Sequence, residues 1–497
     1  MECAADRMMA IEKKALRLLE DAGYEAYAVG GRVRDALISC AAGEPAAGLA
    51  AAKAATDATD AAGSPEAAGL AAQTAPEAVG ADIDITTNAT PEQVKEVFAG
   101  YQTIDTGIKH GTVTVLLPIF EAASERFPVE ITTYRSDGSY SDSRHPDQVS
   151  FVKSLEEDLA RRDFTINAIA RDLRGEIVDP FHGIEDIKLR QIRAVGDPEE
   201  RFQEDALRIM RALRFAASLS FSIEKETAKA LSGRKHLLKR MAAERLYMEL
   251  KKMVVGPDAG RVIRDYTEVL GQVIPELLPM KDFQQHNPYH KYDVLEHCVR
   301  AMEAVRTTPE NETYMKLAAL FHDIGKPLTY STDEAGIGHF YKHPHKSREL
   351  VIEILERLKA DRFTVERVAT LVKYHDLIFE KDPRLLKRWM NRLTPEVLFE
   401  ILEIKRADNL ATGNMSRELE EKFDEIKEMM AEIVAGGQCF SLKDLAVDGS
   451  DLLEMGIPPG PEVGEILDQL LEEVIEGRLP NEKNVLLSQG VVGRRKK

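Results

Sequence analysis

The sequence predicts an α+β chain: a small mixed-sheet head, an all-α body, an all-α histidine-rich module and a helical tail. Three observations predict it. Stretches rich in β-branched residues and alternation, YEAYAVGG (24–31), ADIDITT (81–87), GTVTVLL (111–117) and VEITTYR (129–135), fall in the first third of the chain. From about residue 183 the strand signal fades and helical periodicity takes over, as in RFQEDALRIMRALRFAASL (201–219) and AAERLYMELKKMVV (242–255). Eight of the twelve histidines then crowd between His286 and His375, which marks a module with its own chemistry. A length of 497 residues calls for several compact units. The expected division is a head over 1–172, a body over 173–280, the histidine-rich module over 281–415 and a tail over 416–497.

The elements follow in order. The N-terminal segment is an amphipathic helix ending at Gly23, followed by the first strand and a helix beginning near Val33. Residues 41–80 are nearly half alanine, without hydrophobic periodicity, and read as a low-complexity surface insertion. No run of about 18 apolar residues exists, and the N-terminus lacks an apolar signal segment, so the expectation is a cytoplasmic protein with no membrane partner. The four cysteines lie far apart without CxxC spacing and read as reduced thiols. A net charge of −18 argues against a nucleic-acid partner. The local runs KLRQIR (188–193), RKHLLKR (234–240) and the C-terminal GRRKK can meet phosphates, or equally form solvated basic faces.

In ADIDIT, Asp82 and Asp84 lie two apart on a strand, so both carboxylates leave one face while Ile83 and Ile85 point into the core. Two such carboxylates can seat magnesium, a hard cation that keeps waters and substrate phosphates. Alone, the pair fits a surface turn as well. GGRVRD precedes it. Gly30 and Gly31 at a strand end let backbone approach phosphate oxygens, and Arg32 or Arg34 can supply a charged fork. A plain strand-to-helix turn is the bland alternative.

Together, GGRVRD and DID resemble the nucleotidyltransferase superfamily of the DNA polymerase β type, in the class that holds bacterial CCA-adding enzymes and bacterial poly(A) polymerases. The resemblance runs over roughly residues 20–255 apart from the insertion, which departs from the family's short connection. It implies that Gly30, Gly31 and Arg34 meet the nucleotide, and that Asp82 and Asp84 hold Mg2+. Glu130 is a further candidate carboxylate, or an exposed strand residue. In LARRDFTINAIA (159–170), which matches the family's RRDFTxNA, the resemblance assigns Arg162 to the nucleotide and Asp163 to the ribose. In EDALRIMRALRF, Asp205, Arg208, Arg211 and Arg214 recur every three residues on what reads as one helical surface. An aspartate accepting from an exocyclic amino group beside an arginine donor imitates a base-pairing partner for cytosine or adenine. The resemblance gives that role to Asp205 and Arg208, with Arg211 and Arg214 assisting. YRSDGSYSDSRHPDQVSF (134–151), with Asp142 and Arg144, resembles the flexible loop of complete CCA-adding enzymes. A simple surface loop and the loop of a poly(A) polymerase are alternatives. The implied partners are tRNA, CTP and ATP. CCA addition is the leading activity, with an A-adding enzyme or a poly(A) polymerase as the alternatives.

Further on, HNPYHKYDVLEHCVRAM, LFHDIGK, HFYKHPHKS, LVKYHD and IKRADNLATG place histidines and aspartates on helical segments, a set able to bind one or two transition metals that activate water. The ordered set resembles the HD phosphohydrolase superfamily over about 281–415. It implies His297, His322, Asp323 and Asp408 as core ligands of a divalent transition metal. His343 and His375 extend the set toward a second metal, with His345 a less favoured substitute for His343. Some bacterial CCA-adding enzymes carry both modules, with phosphatase or phosphodiesterase action on nucleotide ends; ligands without turnover are the competing reading.

Overall fold

A computed structural model describes residues 4–41, 83–105, 107–119, 125–137, 149–286, 291–413 and 415–492. All but the first residue of the predicted insertion, Asp82, both loop residues Asp142 and Arg144, and the C-terminal GRRKK lie outside the described residues. The chain forms two compact units, Met1–Ala242 and Ala243–Lys497. No described helix is long and apolar enough to cross a membrane.

The first unit is built on a seven-stranded mixed sheet. Its elements are α1 (Ala4–Asp21), β1 (Ala26–Val29), α2 (Gly31–Ala41), β2 (Ile83–Thr87), α3 (Pro91–Val97), β3 (Gln102–Ile104), β4 (Thr112–Pro118), β5 (Arg126–Thr133), β6 (Arg135–Asp137), β7 (Val149–Phe151), α4 (Leu155–Ala160), β8 (Ala170–Arg171), β9 (Ile177–Val178), α5 (Gly183–Leu189), α6 (Pro198–Glu204), α7 (Leu207–Leu219) and α8 (Lys225–Arg234). The strand order is β3-β4-β5-β2-β1-β8-β9. Only β2 and β5 run parallel within it. The α1 helix buries Ile11, Ala15, Leu16 and Leu19, one face at helical spacing, and packs on β1 and β2. The alternation in β2 falls as its sequence predicts, with Ile83 and Ile85 buried and Asp84 between them half-buried.

One expected element is different. The continuous helical pattern over 201–219 is two helices, because Asp205 is extended (φ −134°, ψ 102°) and separates α6 from α7. Its carboxylate accepts the Leu207 N–H at 3.0 Å, so the side chain competes with the helix for backbone donors. Asp205 therefore stands ahead of α7 rather than on its face.

Among its described residues the second unit is helical, with two short hairpin strands, Ser331–Thr332 and Gly338–His339. Helices Val294–Ala304, Glu312–Phe321, His343–Arg357, Arg362–Tyr374 and Pro395–Ala411 pack on one another through an aliphatic core. Helix Arg417–Ala435 follows, and the last helices close over a small cluster of Leu445, Val447, Leu470, Leu471 and Leu486.

Candidate active site in the first unit and candidate metal centre in the second

Backbone register builds the first site. Asp84 stands opposite Val29 in β1 and opposite Glu130 in the parallel β5, so the two carboxylates are neighbours on one face of the sheet. Glu130 is exposed on that face. The chain leaves β1 through Gly30, at φ +78°, directly into α2. A Cβ on Gly30 would lie 2.9 Å from Asp84 Oδ2, so glycine is required both for the left-handed turn and for the close approach of the carboxylate. Gly31 begins α2, whose first turn has N–H groups without partners inside the helix, as any helix start does.

The two arginines of GGRVRD separate in role. Arg32 turns away into the fold: its Nε donates to Glu12 at 3.3 Å, and Glu12 also accepts from Arg171 on β8 at 2.5 Å. Glu12 is 1% exposed. One buried carboxylate on α1 thus pins both the start of α2 and the next strand of the sheet. Arg34 turns the other way. It pairs with Asp35 at 2.7 Å and donates to Asn167 Oδ1 at 2.8 Å. Asn167 in turn donates to Asp163 at 3.0 Å, and Asp163 pairs with Arg211 at 2.6 Å.

A continuous polar chain, Arg34–Asn167–Asp163–Arg211, therefore links the glycine turn, the RRDFTIN segment and α7. Burial by itself would raise the Asp163 carboxyl, but the Arg211 guanidinium and the donated hydrogen bonds hold it at about 2. The ring of Phe215 lies beneath three guanidiniums, those of Arg34 at 5.1 Å, Arg211 at 5.4 Å and Arg214 at 4.1 Å. Asn167, Phe215 and Glu12 were not singled out from the sequence. Asn167 sat within the quoted motif, whereas nothing local distinguishes Glu12 from the other charges of its helix.

Arg162 and Arg208 take other positions. Arg162 lies 3.3 Å from Asp158, a fully buried carboxylate that also holds Arg161 and accepts from Thr86 Oγ1 at 3.0 Å. Arg208 is buried, paired with Glu204 at 2.6 Å, and donates to the carbonyls of Arg161 and Arg201. In this state its guanidinium is committed to the joint between α6 and α7.

The second unit gathers the predicted histidines and aspartates at one place. His297 Nε2 is 3.0 Å from Asp408 Oδ1 and 3.4 Å from Asp323 Oδ2, while His322 Nε2 is 3.2 Å from that same Asp323 oxygen. The other oxygen of Asp323 lies 3.1 Å from His343 Nε2 and 3.5 Å from His375 Nε2. Asp323 thus joins two groups, His297–His322–Asp408 and Asp323–His343–His375, each with its ligand atoms within 4.8 Å of one another. His345 is exposed and belongs to neither group.

The donor chemistry fits a cation. Each of His322, His343 and His375 spends Nδ1–H on a backbone carbonyl three residues earlier, at 2.7, 2.9 and 2.7 Å. A carbonyl only accepts, so in the neutral rings the lone pairs sit on Nε2. Two of those nitrogens, on His343 and His375, face each other at 3.2 Å, and His322 Nε2 lies 3.1 Å from Nε2 of His297. The facing lone pairs of neutral His343 and His375 beside Asp323 call for positive charge between them. Burial opposes a charge on His322, yet neighbouring Asp323 outweighs it and holds the imidazole well above its usual range. His375 is pushed down by burial, toward the neutral form that binds metal. Buried Cys298 also lies within 4.8 Å of His322 and Asp323, but burial pushes its thiol up, away from the thiolate a metal needs.

Three family models match the chain. Residues 71–193 match "Poly A polymerase head domain", residues 220–280 match "Probable RNA and SrmB- binding site of polymerase A", and residues 331–489 match "tRNA nucleotidyltransferase domain 2". The CCA-adding enzyme of Lactobacillus helveticus (strain DPC 4571) is 32% identical over 472 residues, covering 95% of this chain and 94% of that protein. That of Levilactobacillus brevis is 33% identical over 477 residues, covering 96% of each. Among solved structures, the Bacillus stearothermophilus CCA-adding enzyme in complex with CTP aligns over 97% of both chains at a TM-score of 0.62 and 29% identity. The Thermotoga maritima CCA-adding enzyme complexed with tRNA shares the fold at a TM-score of 0.55 and 20% identity, over 97% of this chain and 94% of that one. Similarity of this extent, over nearly the full length, makes the chain a member of the CCA-adding enzyme family.

Proposed function

We propose that this chain completes tRNA 3′ ends, adding CCA from CTP and ATP without a nucleic-acid template. The observation that carries the reading is the placement of Asp84, side by side with Glu130 and against the Gly30 turn, in a chain of this family. The 3′-hydroxyl oxygen forms an ester bond to the α-phosphorus, the bond to the β-phosphate breaks, pyrophosphate leaves, and the hydroxyl proton passes to water. Members of this family use divalent metals, and Asp84 with Asp82, aided by Glu130, offers the hard oxygen donors that suit Mg2+. Divalent cations there supply charge neutralisation for the triphosphate and the attacking hydroxyl.

The remaining roles belong to the chain itself. Gly30 and Gly31 open the backbone to phosphate, and Arg34 is held toward it by Asn167. Asp163, kept ionised by Arg211, is the acceptor offered to the ribose. Arg162 and Arg214 add positive charge. Asp205 and Arg208 read the base once Arg208 exchanges Glu204 and its carbonyl partners for the nucleotide. Asp142 and Arg144 serve the change from C to A addition. On this reading residues 1–172 are the catalytic head, 173–280 the base- and RNA-binding body, 281–415 the metal-dependent module and 416–497 a tRNA-contacting tail, in a cytoplasmic protein.

A second reading concerns the histidine cluster: a phosphoesterase site acting on nucleotide or RNA ends, with His297, His322, Asp323 and Asp408 holding a divalent transition metal and His343 and His375 a second one. Its motivation is the sharing of Asp323 between two donor groups. A metal bound there supplies a water nucleophile at neutral pH.

Purified protein incubated with tRNA that ends before CCA, offered each triphosphate singly and then together, tests the leading reading by sequencing of the added nucleotides. Two C residues with CTP alone, and CCA with both, are expected. A alone on a CC end would identify an A-adding enzyme, and long A tails on unrelated RNA a poly(A) polymerase.

A further inference from the structure

A large aromatic ring stands exposed at the edge of the histidine cluster. A cavity of about 530 Å³ is lined by Asp323, Lys326, His339, Tyr341, His343 and Lys405, among others. Tyr341 is 71% exposed, a large apolar area to leave in water within a polar cavity. Its ring is not loose. It stacks on His339 with planes 10° apart and centroids 5.3 Å apart. His339 is fixed in turn, with Nε2 2.9 Å from Asp333 Oδ2, while the other carboxylate oxygen accepts the N–H groups of Ala335 and Ile337 in the same short hairpin. One face of the Tyr341 ring is thus backed by an anchored imidazole. The backbone then makes a costly turn: Lys342 is left-handed at φ 62°, a conformation that a lysine rarely adopts. That turn leaves Tyr341 exposed while His343, one residue further, places Nε2 3.1 Å from Asp323. A rigid aromatic face and the donor cluster therefore sit two residues apart and line one cavity.

Stacked aromatic faces with nearby cations are the chemistry by which proteins hold unpaired bases, since every base has a π-face. We infer that Tyr341, backed by His339, is the residue on which the second site stacks the base of its nucleotide, and so the one that sets its preference for a nucleotide over a small phosphate ester. Lys342, exposed beside Tyr341, adds positive charge at the same rim. This inference rests on the phosphoesterase reading of the histidine cluster and names what that site selects.

The test uses the full chain with manganese(II) and two probes that differ only by a base, 5′-AMP and ribose 5-phosphate, with affinities measured by calorimetry. Tyr341→Ala should weaken 5′-AMP about tenfold or more, the effect of one base on one ring, and change ribose 5-phosphate less than twofold. Tyr341→Phe should keep the parent affinity, and Tyr341→Ala should still add CCA to tRNA. Because nucleotides also bind the first unit, 8-azido-AMP with peptide mapping locates the site: label on the peptide carrying Tyr341, competed by 5′-AMP and not by ribose 5-phosphate, is expected. Equal loss of both probes in Tyr341→Ala, or label confined to the first unit, would overturn the inference. Failure of the metal reading looks different: bound manganese per chain would be the same in Asp323→Ala as in the parent.

Discussion

The two sites solve opposite electrostatic problems. In the first unit every cation described around the glycine turn already has an acid or an aromatic face: Arg32 has Glu12, Arg34 has Asp35, Arg211 has Asp163, and Phe215 underlies three guanidiniums. In the second unit the Nε2 lone pairs of neutral His343 and His375 confront one another beside Asp323, and Nε2 of His297 meets that of His322 beside Asp408. Paired charges hold a shape without a ligand. Facing lone pairs do not, so the histidine cluster should depend on a bound cation for its order, while the first site should depend on one only for its chemistry.

Four experiments break or sharpen that contrast. The largest effect should come from Asp84→Ala, which should lower CCA addition about a thousandfold, roughly 4 kcal/mol of transition-state stabilisation, while leaving the thermal midpoint nearly unchanged. His322→Ala should leave addition intact, and a loss comparable to that of Asp84→Ala would erase the division of labour. Next, metal at about a hundred times its dissociation constant should stabilise the second unit by about 2.7 kcal/mol. Chelation should lower the calorimetric transition, with no such shift in His322→Ala and the full shift in Asp84→Ala. Third is an acid effect on the first unit. Because Asp163 is held at about 2 instead of an ordinary 3.8, its charge contributes roughly 2 kcal/mol, present above about pH 4 and lost as pH falls toward 2. Denaturant melts of Asp163→Asn should lack that portion of the acid transition. Smallest is Gly30→Ala, which should cost about 1 kcal/mol of stability for a left-handed alanine. Crowding of Asp84 should add about a tenfold loss in turnover; an unaltered rate would mean the carboxylate need not approach the turn.

How much was legible follows the same division. The strand carrying Ile83, Asp84 and Ile85 was readable because period-two alternation is local, and GGRVRD was readable because a strand end must turn into a helix there. The donor set of the second unit was readable because imidazoles and carboxylates are rare on apolar helical faces. The break at Asp205 was not, since the hydrophobic period runs on through it and only the capture of the Leu207 N–H by the carboxylate ends the helix. The choice of Arg34 over Arg32 was legible only through the family's motif. Arginines two residues apart carry no label of their own, and their fates are decided by Glu12, 20 residues away, and by Asn167, 133 residues away. Tyr341 escaped for a similar reason: its meaning lies in a ring stacked on it and a cluster beside it.

Glu12 also sets an order of events in synthesis. The carboxylate leaves the ribosome early, but its partner Arg171 follows 159 residues later. Until then the first helix can dock only in part, because its buried acid still lacks half its neutralisation. The nascent head is thus expected to resist protease only after β8 has emerged, and chains stalled before that strand are the ones chaperones should meet.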